Sequence, residues 1–158
     1  MFKYTCLALL GCVAMLGQPI VMTTGVVGIA AGQTAQVNVL NPGVQPPALG
    51  VVCNAGITLV DDNGFALKST TVAIPPGASK ALQLRSDIDL NLSTTGDRKQ
   101  IRAVVASPSF APAAPSASAC KLLLTLEILD TVTGRTLVTL SQTAPVPGVL
   151  ATPLAHTP

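Results

Sequence analysis

Apolar and polar positions alternate with a period of two along several stretches of the chain, the spacing that sends successive side chains to opposite faces of a strand. Between Thr34 and Asn41, Ala35, Val37 and Val39 fall on one face and Gln36, Asn38 and Leu40 on the other. Cys53, Ala55, Ile57 and Leu59 repeat this pattern. It is clearest in Cys120, Leu122, Leu124, Leu126 and Ile128, which oppose Lys121, Thr125 and Glu127. Apolar or β-branched stretches at 21–30, 65–74, 80–84, 100–106 and 135–142 complete a set of eight short strands. In the 65–74 stretch the parity moves from Phe65 and Leu67 to Val72 and Ile74, which predicts a bulge near 69–71. The even parity of Leu82 and Leu84 continues through Ile88, Leu90 and Leu92, so these are predicted to face inward as well.

Turn chemistry separates the stretches. Residues 41–50 hold three prolines and two glycines and must be a connection. Asp61-Asp62-Asn63-Gly64 is a hairpin signal, because a tight turn needs positive φ and Asn-Gly supplies it. Pro75-Pro76-Gly77 and the polar run 93–99 close two further strands, and a Pro/Ala/Ser-rich loop spans 107–119. Many short strands at regular spacing predict an all-β fold, an immunoglobulin-like antiparallel β-sandwich of seven to eight strands. At 158 residues the chain has room for one such domain, assigned to 18–143, followed by a Pro-rich flexible tail at 144–158.

Charge changes this picture at the N-terminus. No charged residue lies between Lys3 and Asp61, and Lys3 followed by the apolar run 4–16 reads as a signal peptide covering 1–17. The chain is therefore expected to be secreted or at the cell surface, with a periplasmic location also open and no membrane span in the mature chain. Two alternatives carry less weight: a lipoprotein anchored through Cys12 after Leu9-Leu10-Gly11, and an uncleaved anchor, which Gln18 and Pro19 interrupt. Removing the signal takes Cys6 and, on most cleavage choices, Cys12. Cys53 and Cys120 then remain as an even pair in an exported domain, both on the core side of their strands, and are expected to form a disulfide.

The segments Ala31-Gly32-Gln33-Thr34 into Val37-Asn38-Val39-Leu40-Asn41, Leu59-Val60-Asp61-Asp62-Asn63-Gly64, and Ile74-Pro75-Pro76-Gly77-Ala78-Ser79 resemble bacterial exported immunoglobulin-like modules. The likeness runs over about 21–142 and consists mainly of turn and strand grammar. It implies a stalk, adhesion or assembly module. The chain departs from the antibody pattern in having no tryptophan in its core and no tyrosine at a strand corner.

The inventory of reactive side chains argues against catalysis. His156 is the single histidine and lies in the tail, so no Ser-His or Cys-His pair is framed by strands. Most carboxylates, including Asp61, Asp62, Asp97 and Asp130, fall in turns, which disfavours a small hydrolase of unfamiliar type. Asp87, Asp89, Asn91 and Ser93 alternate and could gather a hard cation, but the calcium-loop glycine and terminal glutamate are missing, so a solvated face is the preferred reading. No catalytic, cofactor or metal residues are assigned. A net charge of +2 without a Lys/Arg stripe argues against nucleic acid. The absence of tryptophan disfavours carbohydrate; of the later aromatics, Phe65 is assigned to the core and Phe110 to a lid over an apolar patch. The expected function is that of a noncatalytic structural, adhesion or protein-interaction module, partnered by other proteins or by itself through strand edges. The alternative is a filament subunit that exchanges its N-terminal strand. Residues 18–40 carry no charge to guard an edge, and pairing of this segment within its own sandwich is preferred over donation to a neighbour.

Overall fold

A computed structural model describes residues 20–43, 51–93, 96–107 and 120–143. Nine strands run in the order β1 (Ile20–Thr23), β2 (Val27–Ala30), β3 (Gln33–Leu40), β4 (Cys53–Asp61), β5 (Ala66–Ile74), β6 (Ser79–Arg85), β7 (Arg98–Ser107), β8 (Leu123–Asp130) and β9 (Thr136–Thr143). They form two antiparallel sheets. One has the order β1-β7-β4-β5, with β2 also paired to β7, and the other the order β6-β3-β8-β9.

The pairing of β1/β2, β7 and β4 in one sheet, and of β3, β8 and β9 in the other, is the B-E-D and C-F-G arrangement of an immunoglobulin-like sandwich. The strands β5 and β6 are added between the fourth and seventh, one at an edge of each sheet. Each crossing from β2 to β3, β3 to β4, β5 to β6, β6 to β7 and β7 to β8 changes sheets, so the apolar faces of the two sheets are turned toward each other and away from water. The core between them holds Ile57, Leu59, Ile101 and Val105 from the first sheet and Val37, Val39, Leu124, Leu126 and Ile128 from the second, all essentially inaccessible.

The ninth strand comes from a break in the first predicted one. Thr24 is buried; its amide donates to the Ala103 carbonyl at 3.0 Å, and its Oγ1 accepts the Ala103 amide at 3.0 Å. A side-chain oxygen thus replaces a backbone carbonyl in the ladder, and the strand kinks there. Next to it, a Cβ on Gly25 would meet the Leu140 side chain of the opposite sheet at 3.8 Å. Both halves pair with β7 of the same chain.

Three inward or bulge assignments are corrected. The register shift in the β4–β5 hairpin falls between Leu59 and Val60, opposite Lys68 and Ala66, so Leu67 is the extra residue and the bulge precedes 69–71. The bulge turns Phe65 outward, at 70% exposure, because the hairpin turn ends on it. Ile88 is 67% exposed, since β6 stops at Arg85 and residues 87–90 fold into a turn that leaves only Leu90 and Leu92 half-buried. Cys120 precedes β8 and does not lie within it. The signal segment, Cys12, Phe110, His156 and the 144–158 tail lie outside the described residues.

Candidate interaction surfaces

The sandwich has two distinct ends. At one, the start of β4 and the lead-in to β8 are joined by the Cys53–Cys120 disulfide, with Cα atoms 5.7 Å apart. The bond links the two sheets at the end where β1 begins and β9 finishes, as the register of Ile20 with Ser107 and Thr143 with Leu123 requires. Beside it, Asn41 is buried and gathers the loop ends: its Nδ2 donates to the Val51 carbonyl at 2.9 Å and the Ile74 carbonyl at 3.0 Å, and its Oδ1 accepts the Gly43 amide at 3.1 Å. Backbone bonds from Asn41 to Ala78 and from Gly77 to Asn41 close the same knot.

The other end collects most of the carboxylates, and each bonded one is committed within the chain. Asp61 is buried at the end of β4, where its Oδ1 accepts the Asn63 amide at 3.0 Å and the Phe65 amide at 2.9 Å, and Lys99 stands 3.4 Å from Oδ2. Burial pushes the Asp61 carboxyl up, but the Phe65 amide, the Lys99 ammonium and the Asn63 amide together outweigh it and hold the pKa below the usual 3.8. Asp130 accepts from the Thr133 amide and hydroxyl and the Val132 amide, which lowers its pKa too.

Asp87 and Asp89 do not form a common face. Arg85 binds Asp87 through Nη2 at 2.7 Å and Nε at 3.2 Å, and this pairing lowers the Asp87 pKa. Asp89 turns to β5, where Lys68 Nζ lies 2.9 Å from both its oxygens, and it also accepts the Arg85 amide at 2.7 Å. Burial raises the Asp89 pKa, and these bonds more than reverse it. Asn91, at φ 53°, is a turn residue in the left-handed region. Among the described residues no group of three or more His, Cys, Asp or Glu could hold a metal. Adding calcium or a chelator is expected to leave the melting temperature unchanged, because both carboxylates are already neutralised by Arg85 and Lys68. A calcium-dependent rise in a thermal melt would contradict this.

Lowered aspartate pKa values also set a pH dependence. A group whose folded pKa is depressed adds stability above its unfolded value, and this is lost as pH falls through 3.8 and then through the lowered folded value. The protein is expected to be stable on the neutral side and to lose melting temperature on acidification below about pH 4. Asp61→Asn should flatten that profile more than Asp87→Asn, since Asp87 is exposed and its ion pair with Arg85 is screened by water. Equal acid sensitivity of all three proteins would contradict the assignment.

A shallow open recess of about 240 Å³ lies on the outer face of the second sheet, lined by Thr34, Gln83, Arg85, Asp130 and Thr131 among others. Its polar groups are engaged: Thr34 Oγ1 and Thr131 Oγ1 are 3.0 Å apart, Arg85 holds Asp87, and Asp130 caps its own turn. Nothing in it is set up as a nucleophile or a base.

The long edges of the sandwich differ sharply. On one flank β5 and β6 carry Lys68, Lys80 and Arg85. On the other, β1, β2 and β9 carry no charged residue, and the exposed apolar side chains Val21, Val26, Leu137 and Val138 lie there. The signal for the β9 edge was present in the sequence, because no Lys, Arg, Asp or Glu follows Arg135. Only the sheet order shows that this stretch is an edge.

No protein-family model and no curated protein matches the chain. One solved structure found as similar, titled "Structure of infectious bursal disease virus Gt strain", shares 14% identity over 83% of this chain and 37% of its own, with a TM-score of 0.26. A likeness at that score carries no argument about fold or function.

Proposed function

We propose that this chain is a noncatalytic exported module of the bacterial immunoglobulin-like kind, serving a structural, adhesion or protein-interaction role through its strand edges. The observation that carries the reading is that the edge strands β1, β2 and β9 carry no charged residue of their own. Monomeric sandwiches guard such edges with Lys, Glu or Pro, as β5 and β6 do here, whereas an edge left open is available to another chain. Export is supported by the N-terminal run 4–16 behind Lys3 and by the inter-sheet disulfide, a bond of oxidising compartments. The commitment of Asp61, Asp87, Asp89 and Asp130 to turns and ion pairs supports a role without chemistry.

Filament assembly by N-terminal strand exchange is the second reading. It is favoured by the position of β1, a four-residue edge strand set apart from β2 by the Thr24 kink. Cell fractionation with cross-linking tests both. The leading reading expects a shortened product outside the cytoplasm, cross-linked through residues of β1, β2 or β9, and strand exchange expects a ladder that vanishes when residues 18–28 are deleted. A full-length cytoplasmic product with no cross-link at these strands would overturn both.

A further inference from the structure

The unguarded flank has one edge that fits a particular partner. The strand β9 is eight residues long, Thr136–Thr143, and pairs only with β8, so its outer backbone groups face no strand among the described residues. It contains neither charge nor proline, and Leu137 and Val138 are 47% and 40% exposed on it. Toward its end, Gln142 Oε1 is buried without a hydrogen-bond partner among the described residues. Stacked above it, β1 and β2 add the exposed Val21 and Val26 and carry no charge of their own, the Arg98 guanidinium of β7 lying against Gly28 of β2.

From these features we infer that β9 pairs antiparallel with β9 of a second copy, joining two four-stranded sheets into one of eight strands. This inference rests on the reading of the chain as an edge-pairing module. Two-fold pairing sets residues 139–141 of one copy against 139–141 of the other, so any charge would meet its own sign. Thr139, Leu140 and Ser141 have none, and the hydroxyls of Thr139 and Ser141 lie on the outward face, where cross-strand hydroxyl pairs add stability. The edge strands β5 and β6 would instead carry charge into such a junction, Lys68 on β5 and Lys80 with Arg85 on β6. Two of the segments outside the described sandwich are poor strand partners for β9. The segment after it holds Pro145, Pro147, Pro153 and Pro158, and the segment between β7 and β8 holds Pro108, Pro112 and Pro115; each proline lacks the amide a ladder needs.

Sedimentation velocity on the purified exported protein, over a concentration series, gives the test. A reversible dimer is expected, with β9 amides that become slower to exchange with deuterium as concentration rises. The double variant Thr139→Lys/Ser141→Lys keeps its β circular dichroism and weakens association roughly tenfold or more, and Thr139→Glu/Ser141→Glu does the same. Mixing the Lys and Glu variants restores the dimer, because opposite charges then meet. A wild-type monomer at every concentration, or a dimer indifferent to both variants and to β9 exchange, would overturn the inference. A monomer that is still exported and cross-linked through β1 or β2 overturns the dimer alone, whereas a cytoplasmic chain without edge contacts overturns the reading beneath it.

Discussion

Reducing the Cys53–Cys120 bond is expected to remove about 4 kcal/mol of stability, a large part of what holds a domain of this size together. The bond closes a loop of 67 residues, so in the oxidised unfolded chain it removes much of the freedom that folding must otherwise overcome. It also fastens the start of β4 in one sheet to the approach to β8 in the other, at the end where β1 begins and β9 finishes. Urea unfolding with and without reductant, and of the Cys53→Ala/Cys120→Ala variant, measures the effect. Intact mass of the native protein should be lower by two protons than that of its reduced form. Two alkylatable thiols in the folded protein, or a loss below about 1 kcal/mol on reduction, would contradict the expected role.

Asn41→Ala is expected to cost about 3 kcal/mol, more than an ordinary side-chain truncation of that volume. The side chain is small, but without it the Ile74 carbonyl loses its partner in the interior, and the Val51 carbonyl and Gly43 amide, which lie nearer solvent, lose the bonds that tie the loop ends together. An unsatisfied buried polar group costs its desolvation in full, so the orphaned Ile74 carbonyl and the loosened loop ends together outweigh the few methylene-equivalents removed. Asn41→Asp keeps the bond to Gly43 but sets a buried carboxylate oxygen against the Val51 and Ile74 carbonyls, and should cost at least as much as Asn41→Ala in chemical denaturation. A change under about 0.5 kcal/mol for Asn41→Ala would show that the loop ends are held by their backbone bonds alone.

The fold is legible in the sequence where one physical signal dominates. The period-two runs at 34–41, 53–59 and 122–128 became β3, β4 and β8 with the expected inward sets, because a strand with one face buried has a single workable register. The pairing of Cys53 with Cys120 followed from count and parity in the same way. Phe65 and Ile88 face solvent because turns claim both: Phe65 ends the hairpin turn just before β5 starts, and Ile88 lies in the turn that follows β6. The turn at 87–90 is held by Asp89 reaching Lys68, twenty-one residues away in sequence, a bond that no local pattern announces. The break at Thr24 was equally hidden, since its hydroxyl serves Ala103 across the sheet, seventy-nine residues on.

The sequence by itself determined the all-β class, the strands that bury a face, the turns at Asn63-Gly64 and Pro76-Gly77, and the two cysteines that bond. All but the disulfide depend on neighbours in the chain: alternation selects an extended backbone, and Gly64 and Gly77, at φ 85° and 75°, permit turns that other residues resist. The tertiary structure decided which strands lie at the edges, because edge status depends on what is absent alongside a strand. Residues 136–143 are as free of charge in the sequence as in the fold, yet they matter only because β8 lies on one side of them and no strand of the described sandwich on the other. It also decided the fate of the acidic cluster. Spacing along the chain puts Asp87, Asp89 and Asn91 on a common face, whereas Arg85 and Lys68 draw the two carboxylates apart, because an ion pair formed within the fold is already complete when a free cation arrives.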